Sequence, residues 1–272
     1  MATIVELITY PVKGCAGVPR AAAVLTPAGL AHDRAFMVTG PDGTFRSQRR
    51  DPRLALIRPD VSEDGEELTL RAPGLDDLRL KVDLDAERRD VTMFGAPYQG
   101  IDQGETAAEW LTEALGAPSR LVRFPPGLDR VTDGLVPGRA AYADSGAVHA
   151  VSRATLRALN DRVPGPPVPL SRFRPNLVID GWDDPHREDR VRRLAAGDAE
   201  LAYAKPAIRC AVTLVDQDTA AKAGPEPLRT LATYRRAPGG GVAFGVKLSV
   251  TRPGTLATGA AIDVLAWGDP EV

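Results

Sequence analysis

The chain has 272 residues, of which 43% are hydrophobic and only 5% aromatic, and its 34 basic and 36 acidic residues leave a formal net charge of −2. This balance excludes a disordered chain and a basic nucleic-acid-binding protein, so we expect a globular protein with no nucleic-acid partner. Two cysteines and three histidines are too few for a four-ligand zinc site or a disulfide framework.

The first hundred residues predict short strands separated by glycine and proline. The segment Gly40-Pro41-Asp42-Gly43 predicts a hairpin turn, because proline presets the turn and glycine accepts a positive φ. A spacing of about ten residues between strands is typical of a β-barrel or a sandwich. The predicted strands are Thr3–Tyr10, Arg34–Val38, Thr44–Arg46, Leu54–Arg58, Glu67–Leu70, Leu78–Val82, Arg89–Met93 and Tyr98–Ile101.

The hydrophobic period then changes to that of a helix. Between Gly104 and Gly116 the apolar residues recur at helical spacing, and Gly116 lies where a C-terminal cap belongs. A strand at Arg120–Phe124 follows, and a polar, glycine-rich segment then predicts a long loop that ends at Gly146. This change of pattern predicts two domains, over residues 1–120 and 121–270.

The second half of the chain mixes strands with short helices. Ser152 is the predicted N-cap of a helix over Arg153–Arg162, and a helix over Pro227–Arg235 has proline in its first turn. We therefore expect a mainly β fold of the α+β class, with a β-barrel-like N-terminal domain. The predicted strands are Ala147–Val151, Asn176–Ile179, Glu200–Tyr203, Arg209–Val215, Val242–Val250 and Ala261–Leu265.

No part of the sequence predicts insertion into a membrane. The apolar runs are as short as strands and fall well below the ~18 residues of a membrane span. The N-terminus also lacks the basic and apolar regions of a secretory leader. We therefore expect a cytoplasmic protein with no membrane partner and with both thiols reduced.

Two short segments in the first domain carry residues suited to binding anions. Lys13 follows a strand end beside Gly14, where a lysine is either solvated or in contact with a phosphate. Arg34 either pairs with the adjacent Asp33 or binds an anion. From these residues alone both alternatives remain open.

Two further segments lie in the second domain. Arg174 and Asn176 precede an apolar strand and together offer a guanidinium fork and an amide, which suit a phosphate or the edge of a heterocycle. The alternative is that Asn176 caps the loop and Arg174 faces water. Arg209 precedes Cys210, and its charge favours a thiolate that can act as a ligand or a nucleophile. The alternative for Cys210 is a buried, inert thiol.

In their order and spacing these segments resemble the MOSC-domain proteins, the family named for the C-terminal domain of molybdenum cofactor sulfurases, preceded by its N-terminal β-barrel domain. The resemblance covers essentially the whole chain and implies a second, MOSC β-barrel domain. Its landmarks are Tyr10-Pro11-Val12-Lys13, Gly29-Leu30, Asp33-Arg34, Gln48-Arg49, Pro52-Arg53-Leu54, Trp110-Leu111, Leu115-Gly116, Arg172-Phe173-Arg174-Pro175-Asn176, Arg209-Cys210, Val215-Asp216, Asp218-Thr219, Leu231 and Tyr234-Arg235.

The resemblance implies a molybdenum cofactor, bound through its molybdopterin between the two domains. It also implies that Cys210 is the protein ligand to the metal, since a thiolate is a soft ligand of the kind such a centre takes. Cys210 and Asp144 would be the catalytic residues. The residues that would bind the cofactor are Lys13, Arg34, Asp144, Ser145, Arg174, Asn176, Arg209 and Cys210.

The chain departs from the family pattern at two places. Gly14 replaces the serine that usually follows the lysine, so one hydroxyl contact is lost or is replaced by a backbone N–H. Asp216-Gln217-Asp218-Thr219-Ala220 replaces the common Asp-Pro-Asp-Thr-Gly, which removes a glycine that tolerates a positive φ. Cys15 also matches a cysteine of the first motif, and we expect it to be structural.

The two-domain branch of the family resembles the amidoxime-reducing components, which implies reduction of small N-hydroxylated compounds to amines or amidines. No flavin or iron–sulfur motif is present, so we expect an external flavoprotein or iron–sulfur reductase to supply electrons. The first alternative is sulfur transfer through a persulfide on Cys210, although the sequence lacks the pyridoxal phosphate-dependent domain of the family's namesakes. The second is a non-catalytic carrier of the cofactor.

Overall fold

Five β-sheets carry most of the regular structure in the computed structural model, which describes residues 1–272. The strands are β1 (Thr3–Thr9), β2 (Val12–Lys13), β3 (Val18–Arg20), β4 (Ala22–Thr26), β5 (Gly29–Leu30), β6 (Phe36–Thr39), β7 (Arg58–Val61), β8 (Glu67–Arg71), β9 (Leu78–Lys81), β10 (Arg88–Met93), β11 (Ala96–Asp102), β12 (Arg120–Arg123), β13 (Val131–Thr132), β14 (Gly138–Arg139), β15 (Val148–Ser152), β16 (Leu177–Asp180), β17 (Val191–Ala196), β18 (Ala199–Arg209), β19 (Val242–Arg252), β20 (Gly254–Ala257) and β21 (Ile262–Trp267). The helices are α1 (Glu105–Leu115), α2 (Arg153–Asn160) and α3 (Leu228–Leu231), with 3-10 turns at Pro52–Leu56, Leu170–Arg172, Arg187–Arg190 and Ala211–Leu214. The predicted mainly β fold of the α+β class is confirmed.

The two largest sheets draw strands from distant parts of the chain. The eight-stranded sheet has the order β21-β17-β18-β19-β15-β16-β1-β3, and the five-stranded sheet has the order β10-β11-β12-β6-β2. Strand β1 therefore belongs to a sheet built mainly from the second half, where it pairs antiparallel with β16. The domain limits 1–120 and 121–270 stay a prediction, but backbone pairing of β1 with β16 links the two halves.

The two largest hydrophobic cores accompany these sheets. The core of the large sheet contains 21 buried residues, which come from both halves of the chain, and the core beside α1 contains 14. Representative members of the first core are Ile4, Leu7, Leu177, Leu201 and Leu248. Representative members of the second core are Phe36, Leu54, Leu68, Leu111 and Leu121.

Most predicted elements are confirmed within a few residues. Helix α1 ends at Leu115, and Gly116 adopts the left-handed φ of 70° that a C-terminal glycine cap needs. The Ser152 hydroxyl accepts a hydrogen bond of 3.1 Å from the Thr155 N–H, as expected of an N-cap. Gly40 and Gly43 close the predicted turn through a backbone hydrogen bond of 3.1 Å.

Two predicted strands are wrong for the same physical reason. The segment Leu54–Arg58 begins instead as a 3-10 turn, because Pro52 starts the turn and Leu54 points into a core. The predicted strand Arg209–Val215 ends at its first residue, and a 3-10 turn follows in which the Thr213 N–H donates to the Cys210 carbonyl. In both segments apolar content predicts burial, but it does not distinguish a strand from a tight turn.

Smaller differences occur at the ends of elements and in the loops. Residues Thr44 and Phe45 form only isolated bridges, and the helix predicted over Pro227–Arg235 is reduced to α3. The predicted long loop contains the hairpin of β13 and β14, while β2, β3, β4, β5, β7, β17 and β20 were not predicted. No helix among the 272 residues is both long enough and apolar enough to cross a bilayer.

Candidate functional site

A cavity lies where loops from both halves of the chain meet, and nearly all predicted site residues line it. Lys13 ends β2, while Arg209 ends β18 and is followed directly by Cys210. Asp144 and Ser145 come from the segment before β15. The complete lining is Lys13, Gly14, Arg34, Phe45, Arg46, Ser47, Gln48, Arg49, Phe94, Ala143, Asp144, Ser145, Arg174, Ile208, Arg209, Cys210, Val212 and Lys247.

Lys13 and Asp144 form an ion pair on one wall of the cavity. The Lys13 ammonium also donates a hydrogen bond of 2.9 Å to the Tyr142 carbonyl, and its side chain is buried. Burial lowers the pKa of Lys13, an effect that Asp144 partly opposes. Burial raises the pKa of Asp144, but the charge and hydrogen bond of Lys13, together with the charges of Lys247 and Arg34, outweigh it and hold this pKa below its usual range. Asp144 is therefore ionised at neutral pH.

A second wall is built from two arginines stacked on one tyrosine. The guanidinium carbons of Arg34 and Arg174 each lie 4.3 Å from the centroid of the Tyr10 ring. The Tyr10 hydroxyl donates to the Pro175 carbonyl at 3.1 Å, and burial raises the pKa of Tyr10 to about 12. Cation–π contacts of this kind help to keep two like charges close together.

Both of these arginines have an unusual backbone conformation. The φ angle is 48° at Arg34 and 55° at Arg174, in the left-handed region that favours glycine. Such a conformation costs of order 1 kcal/mol or more at a non-glycine residue and tends to occur at functional sites. Two strained arginines that share one stacking partner therefore mark this wall as a binding surface.

Buried hydrogen bonds to Asp33 and Asn176 hold the Arg34 side chain in place. The Asp33 carboxylate accepts from Arg34 at 2.5 Å, and the Asn176 amide oxygen accepts from Arg34 at 3.0 Å. The same Asn176 oxygen accepts from the His149 N–H, while its amide nitrogen donates to the Ile8 carbonyl and to Asp33. All four positions of this amide are thus used within the protein.

Asn176 is consequently the one predicted cofactor-binding residue that does not line the cavity. Its side chain is only 1% exposed, and a direct contact with a ligand requires the loss of one of its hydrogen bonds. In the structure its side chain holds Arg34, and its direct contact with a cofactor stays a prediction. For Arg34 the sequence left open either an ion pair with Asp33 or a contact with an anion. In the structure Arg34 pairs with Asp33 and also lines the cavity.

The third wall carries the thiol. Cys210 is partly exposed and has an extended backbone, with φ −127° and ψ −178°, between β18 and the 3-10 turn Ala211–Leu214. Arg209 donates a hydrogen bond of 2.9 Å to the Phe173 carbonyl. Cys15, by contrast, is completely buried in the core beside α1, and burial raises the pKa of its thiol to about 12. Cys210 is therefore the thiol available for chemistry.

The charge of the cavity is strongly positive. Burial lowers the pKa of both Arg174 and Arg209, which shows that their charges are costly to desolvate. Arg174 Nη2 and Arg209 Nε are buried and have no hydrogen-bond partner. The only carboxylate in the lining is Asp144, whereas the basic residues are Lys13, Arg34, Arg46, Arg49, Arg174, Arg209 and Lys247. A cavity with this charge and with unused donors fits an anionic ligand.

Several residues that line this cavity were not predicted from the sequence. Lys247 faces the cavity from β19, and burial together with Arg209 and Arg34 lowers its pKa to about 7. It was missed because a single lysine in an apolar strand normally points to solvent. Gln217 was noted only as a departure from the family pattern. Its amide exchanges two hydrogen bonds with Gln48, at 3.0 and 2.9 Å, and so links the two halves of the chain at the cavity that Gln48 lines.

The segment Asp216–Ala220, which departs from the family pattern, still forms a turn in the structure. Ala220 adopts a φ of 59°, so the turn keeps the left-handed conformation although alanine replaces the usual glycine. Asp216 stabilises this turn by accepting hydrogen bonds from the backbone N–H groups of Asp218 and Thr219. The local turn that this departure put in doubt is therefore formed.

The protein itself offers no complete metal cage. Among the 272 residues no group of three His, Cys, Asp or Glu side chains is close enough to hold a metal ion. The donor set nevertheless fits a large anionic cofactor that brings its own metal ligands, because a single thiolate of Cys210 completes such a site and the cations meet the negative charge.

Sequence comparisons identify the family. A profile described as the MOSC N-terminal beta barrel domain matches residues 1–118, and one described as the MOSC domain matches residues 137–263. The chain is similar to mitochondrial amidoxime-reducing component 1 of Homo sapiens, with 34% identity over 283 residues, covering 97% of this chain and 83% of that protein.

Two further relatives agree with this result. Mitochondrial amidoxime reducing component 2 of Bos taurus is 35% identical over 246 residues, covering 86% of this chain and 72% of the relative. Molybdenum cofactor sulfurase of Danio rerio is 31% identical over 268 residues, which cover 91% of this chain but only 32% of the sulfurase. The chain thus belongs to the MOSC family, in which it combines the N-terminal β-barrel domain with the MOSC domain.

Proposed function

We propose that this chain holds a molybdenum cofactor in the cavity and uses it to reduce N-hydroxylated compounds to amines or amidines. The main support is the pair of unpartnered guanidinium nitrogens on Arg174 and Arg209, which leave an unmet demand for an anion beside the Cys210 thiol. The names of the mammalian relatives, amidoxime-reducing components, support the type of reaction.

In this proposal Cys210 Sγ is the protein ligand to the metal, since a thiolate is a soft donor. Guanidinium groups suit the anionic end of the cofactor, because they donate two parallel hydrogen bonds to a phosphate. Asn176 acts indirectly by holding Arg34. The residues assigned to the cofactor in direct contact are Lys13, Arg34, Asp144, Ser145, Arg174, Arg209 and Cys210.

When bound, the cofactor supplies the two-electron chemistry that breaks an N–O bond. Formation of an amine and water from a hydroxylamine also consumes two protons, which the protein has to deliver. We assign one delivery step to Lys247 Nζ, because it faces the cavity and its pKa of about 7 lets it hold and release a proton near neutral pH. Asp144 stays ionised and orients Lys13.

Each turnover also requires two electrons from another protein. We propose that an external flavoprotein or iron–sulfur reductase supplies them, and that the reaction takes place in the cytoplasm. A small N-hydroxylated molecule is the proposed substrate, which would enter the cavity lined by side chains of both halves.

The experiment that tests this function combines metal analysis with turnover. The chain is produced in a host that makes the cofactor, its molybdenum content is measured, and benzamidoxime reduction is followed with a reduced viologen as donor. We expect about one molybdenum per chain and measurable turnover. Cys210→Ser is expected to abolish turnover and to lose the metal, whereas Cys15→Ala, which changes the other thiol, is expected to keep both.

Three results would lead to other conclusions. Folded protein without molybdenum would refute the proposal. Molybdenum without turnover, under a donor that reduces the metal, would indicate a cofactor carrier. A persulfide on Cys210 that passes labelled sulfur to an acceptor would indicate sulfur transfer.

A further inference from the structure

The hairpin of β10 and β11 has an unexpected residue at its tip. Met93 pairs with Ala96, so Phe94 and Gly95 form a two-residue loop, with φ values of 54° and 79°. Positive φ at both positions is the pattern of a type I′ turn, in which asparagine or glycine is strongly preferred at the first position. A bulky aromatic residue in the left-handed region is a genuine outlier. Local turn geometry therefore does not explain Phe94.

Packing does not fully explain it either. The Phe94 side chain is 49% exposed, although it lines the cavity. Its ring centroid lies 4.7 Å from that of Phe45, with the two ring planes at 60°. Phe45 is itself half-buried, so the two rings form a pair at the cavity mouth that is open on one side. A residue needed only for the core is normally enclosed.

The cations of the cavity are arranged around this aromatic pair. Lys13 Nζ lies 5.0 Å from the centroid of Phe94 and 5.5 Å from that of Phe45. The guanidinium carbon of Arg49 lies 5.5 Å from the Phe94 ring. The pair is thus held in place next to Lys13 and Asp144, while about half of the Phe94 surface remains free for a further contact.

We propose that Phe94, supported by Phe45, is a stacking site for the planar part of the substrate, and that it makes the protein prefer N-hydroxylated compounds attached to an aromatic or heteroaromatic ring. This inference rests on the proposed function. An open aromatic face at the entrance of a polar cavity binds a flat ring through stacking and buried apolar area. An N–O group attached to that ring extends from the apolar mouth towards the charged interior.

The test uses Phe94→Asn in the cofactor-loaded protein. Asparagine suits a left-handed residue of a type I′ turn, so the urea midpoint is expected to stay the same or to rise, which separates the loss of the ring from misfolding. The KM for benzamidoxime is expected to rise about five- to tenfold, whereas kcat and the KM for acetamidoxime, which has no ring, are expected to change less than about twofold.

A matched control and a binding measurement complete the design. Leu84 is also 49% exposed but lies outside the cavity, so Leu84→Asn is expected to leave both KM values unchanged. Benzamidine, the product of benzamidoxime reduction, is titrated into the oxidised, loaded protein by calorimetry. Its Kd is expected to rise about five- to tenfold in Phe94→Asn, by the same stacking contribution.

The outcomes separate this inference from the proposed function. Equal KM changes for the two amidoximes, or an unchanged benzamidine Kd, would overturn the stacking site while leaving the reductase function in place. Loss of molybdenum from Phe94→Asn would also overturn it, because the ring would then belong to the cofactor site. If the wild-type protein reduces neither amidoxime, the proposed function fails, and the benzamidine titration still decides whether Phe94 binds a planar ring.

Discussion

Replacing Asp33 by asparagine tests how the positive wall of the cavity is held in place. The Asp33 side chain is 1% exposed, and its Oδ2 accepts from Arg34 Nη1 at 2.5 Å. Its Oδ1 accepts from the Tyr10 N–H at 2.8 Å and from Asn176 Nδ2 at 3.0 Å. Asparagine can keep both Oδ1 bonds, but its amide N–H replaces Oδ2 and meets the guanidinium as one donor against another. The variant therefore removes a buried ion pair with little change of volume.

The size of the effect follows from what Arg34 retains. Removal of one partner of a buried ion pair costs about 3–5 kcal/mol, because the other charge stays buried. The Arg34 side chain is 11% exposed and keeps the Asn176 amide oxygen and the Arg174 carbonyl as acceptors. We therefore expect Asp33→Asn to lower the free energy of unfolding by about 3 kcal/mol, the lower end of this range.

Urea denaturation of the cofactor-free protein, followed by tryptophan fluorescence, measures this change. Asp60→Asn is the matched control, because Asp60 pairs with Arg20 at 2.9 Å but both side chains are more exposed, 49% and 29% respectively. An exposed pair contributes less than about 1 kcal/mol, so the control should lose less than that. If Asp33→Asn loses no more than Asp60→Asn, the reasoning about a buried, uncompensated Arg34 is refuted.

Three other predictions follow from the burial of individual groups. In the native protein Cys210 should react with a thiol reagent, whereas Cys15 should react only after unfolding, because Cys15 is buried and its pKa is raised to about 12. Mass spectrometry that finds two fast-reacting thiols in the native protein would contradict this. Asp189→Asn should stabilise the protein more at about pH 8 than at about pH 5, because burial raises the pKa of Asp189 to about 7 and makes its ionised form costly even beside Arg235. Urea curves that show the same effect at both pH values would argue against this prediction. Lys247→Met should stabilise the cofactor-free protein more at about pH 7 than at about pH 9. The reason is that the folded state releases the Lys247 proton near pH 7, whereas the unfolded chain keeps it to about pH 10. Urea curves that show an equal gain at both pH values would disprove this.

The residues of the site differ in how well sequence reasoning could find them. Lys13, Arg34, Arg174 and Cys210 lie in motifs beside strand ends, and the residues predicted from these motifs line the cavity, while their roles stay predictions. Lys247 lies inside a strand, and only its burial between other cations makes it unusual. No sequence pattern gives the burial of one side chain, since this depends on which loops cover the strand.

The aromatic pair at the cavity mouth could not be predicted for a related reason. A Phe-Gly loop carries no strong turn signal, so the left-handed φ of Phe94 is visible only in the folded backbone. Its contact with Phe45 joins the β10–β11 hairpin to the segment after the Gly40–Gly43 turn, which is distant in the sequence. Tertiary contacts of this kind leave no trace in local periodicity.

By itself, the sequence determined the mainly β character, the clearest helix, the family and most of the predicted residues that line the cavity, because these depend on hydrophobic period, capping residues and ordered motifs. Only the tertiary structure decided that β1 joins the sheet of the second half, where Leu7 pairs with Leu177. This pairing brings Tyr10 and Arg34 against Arg174 and so forms the cavity. The physical reason is that strand pairing across 170 residues depends on the burial of whole faces, which no local segment of the chain encodes.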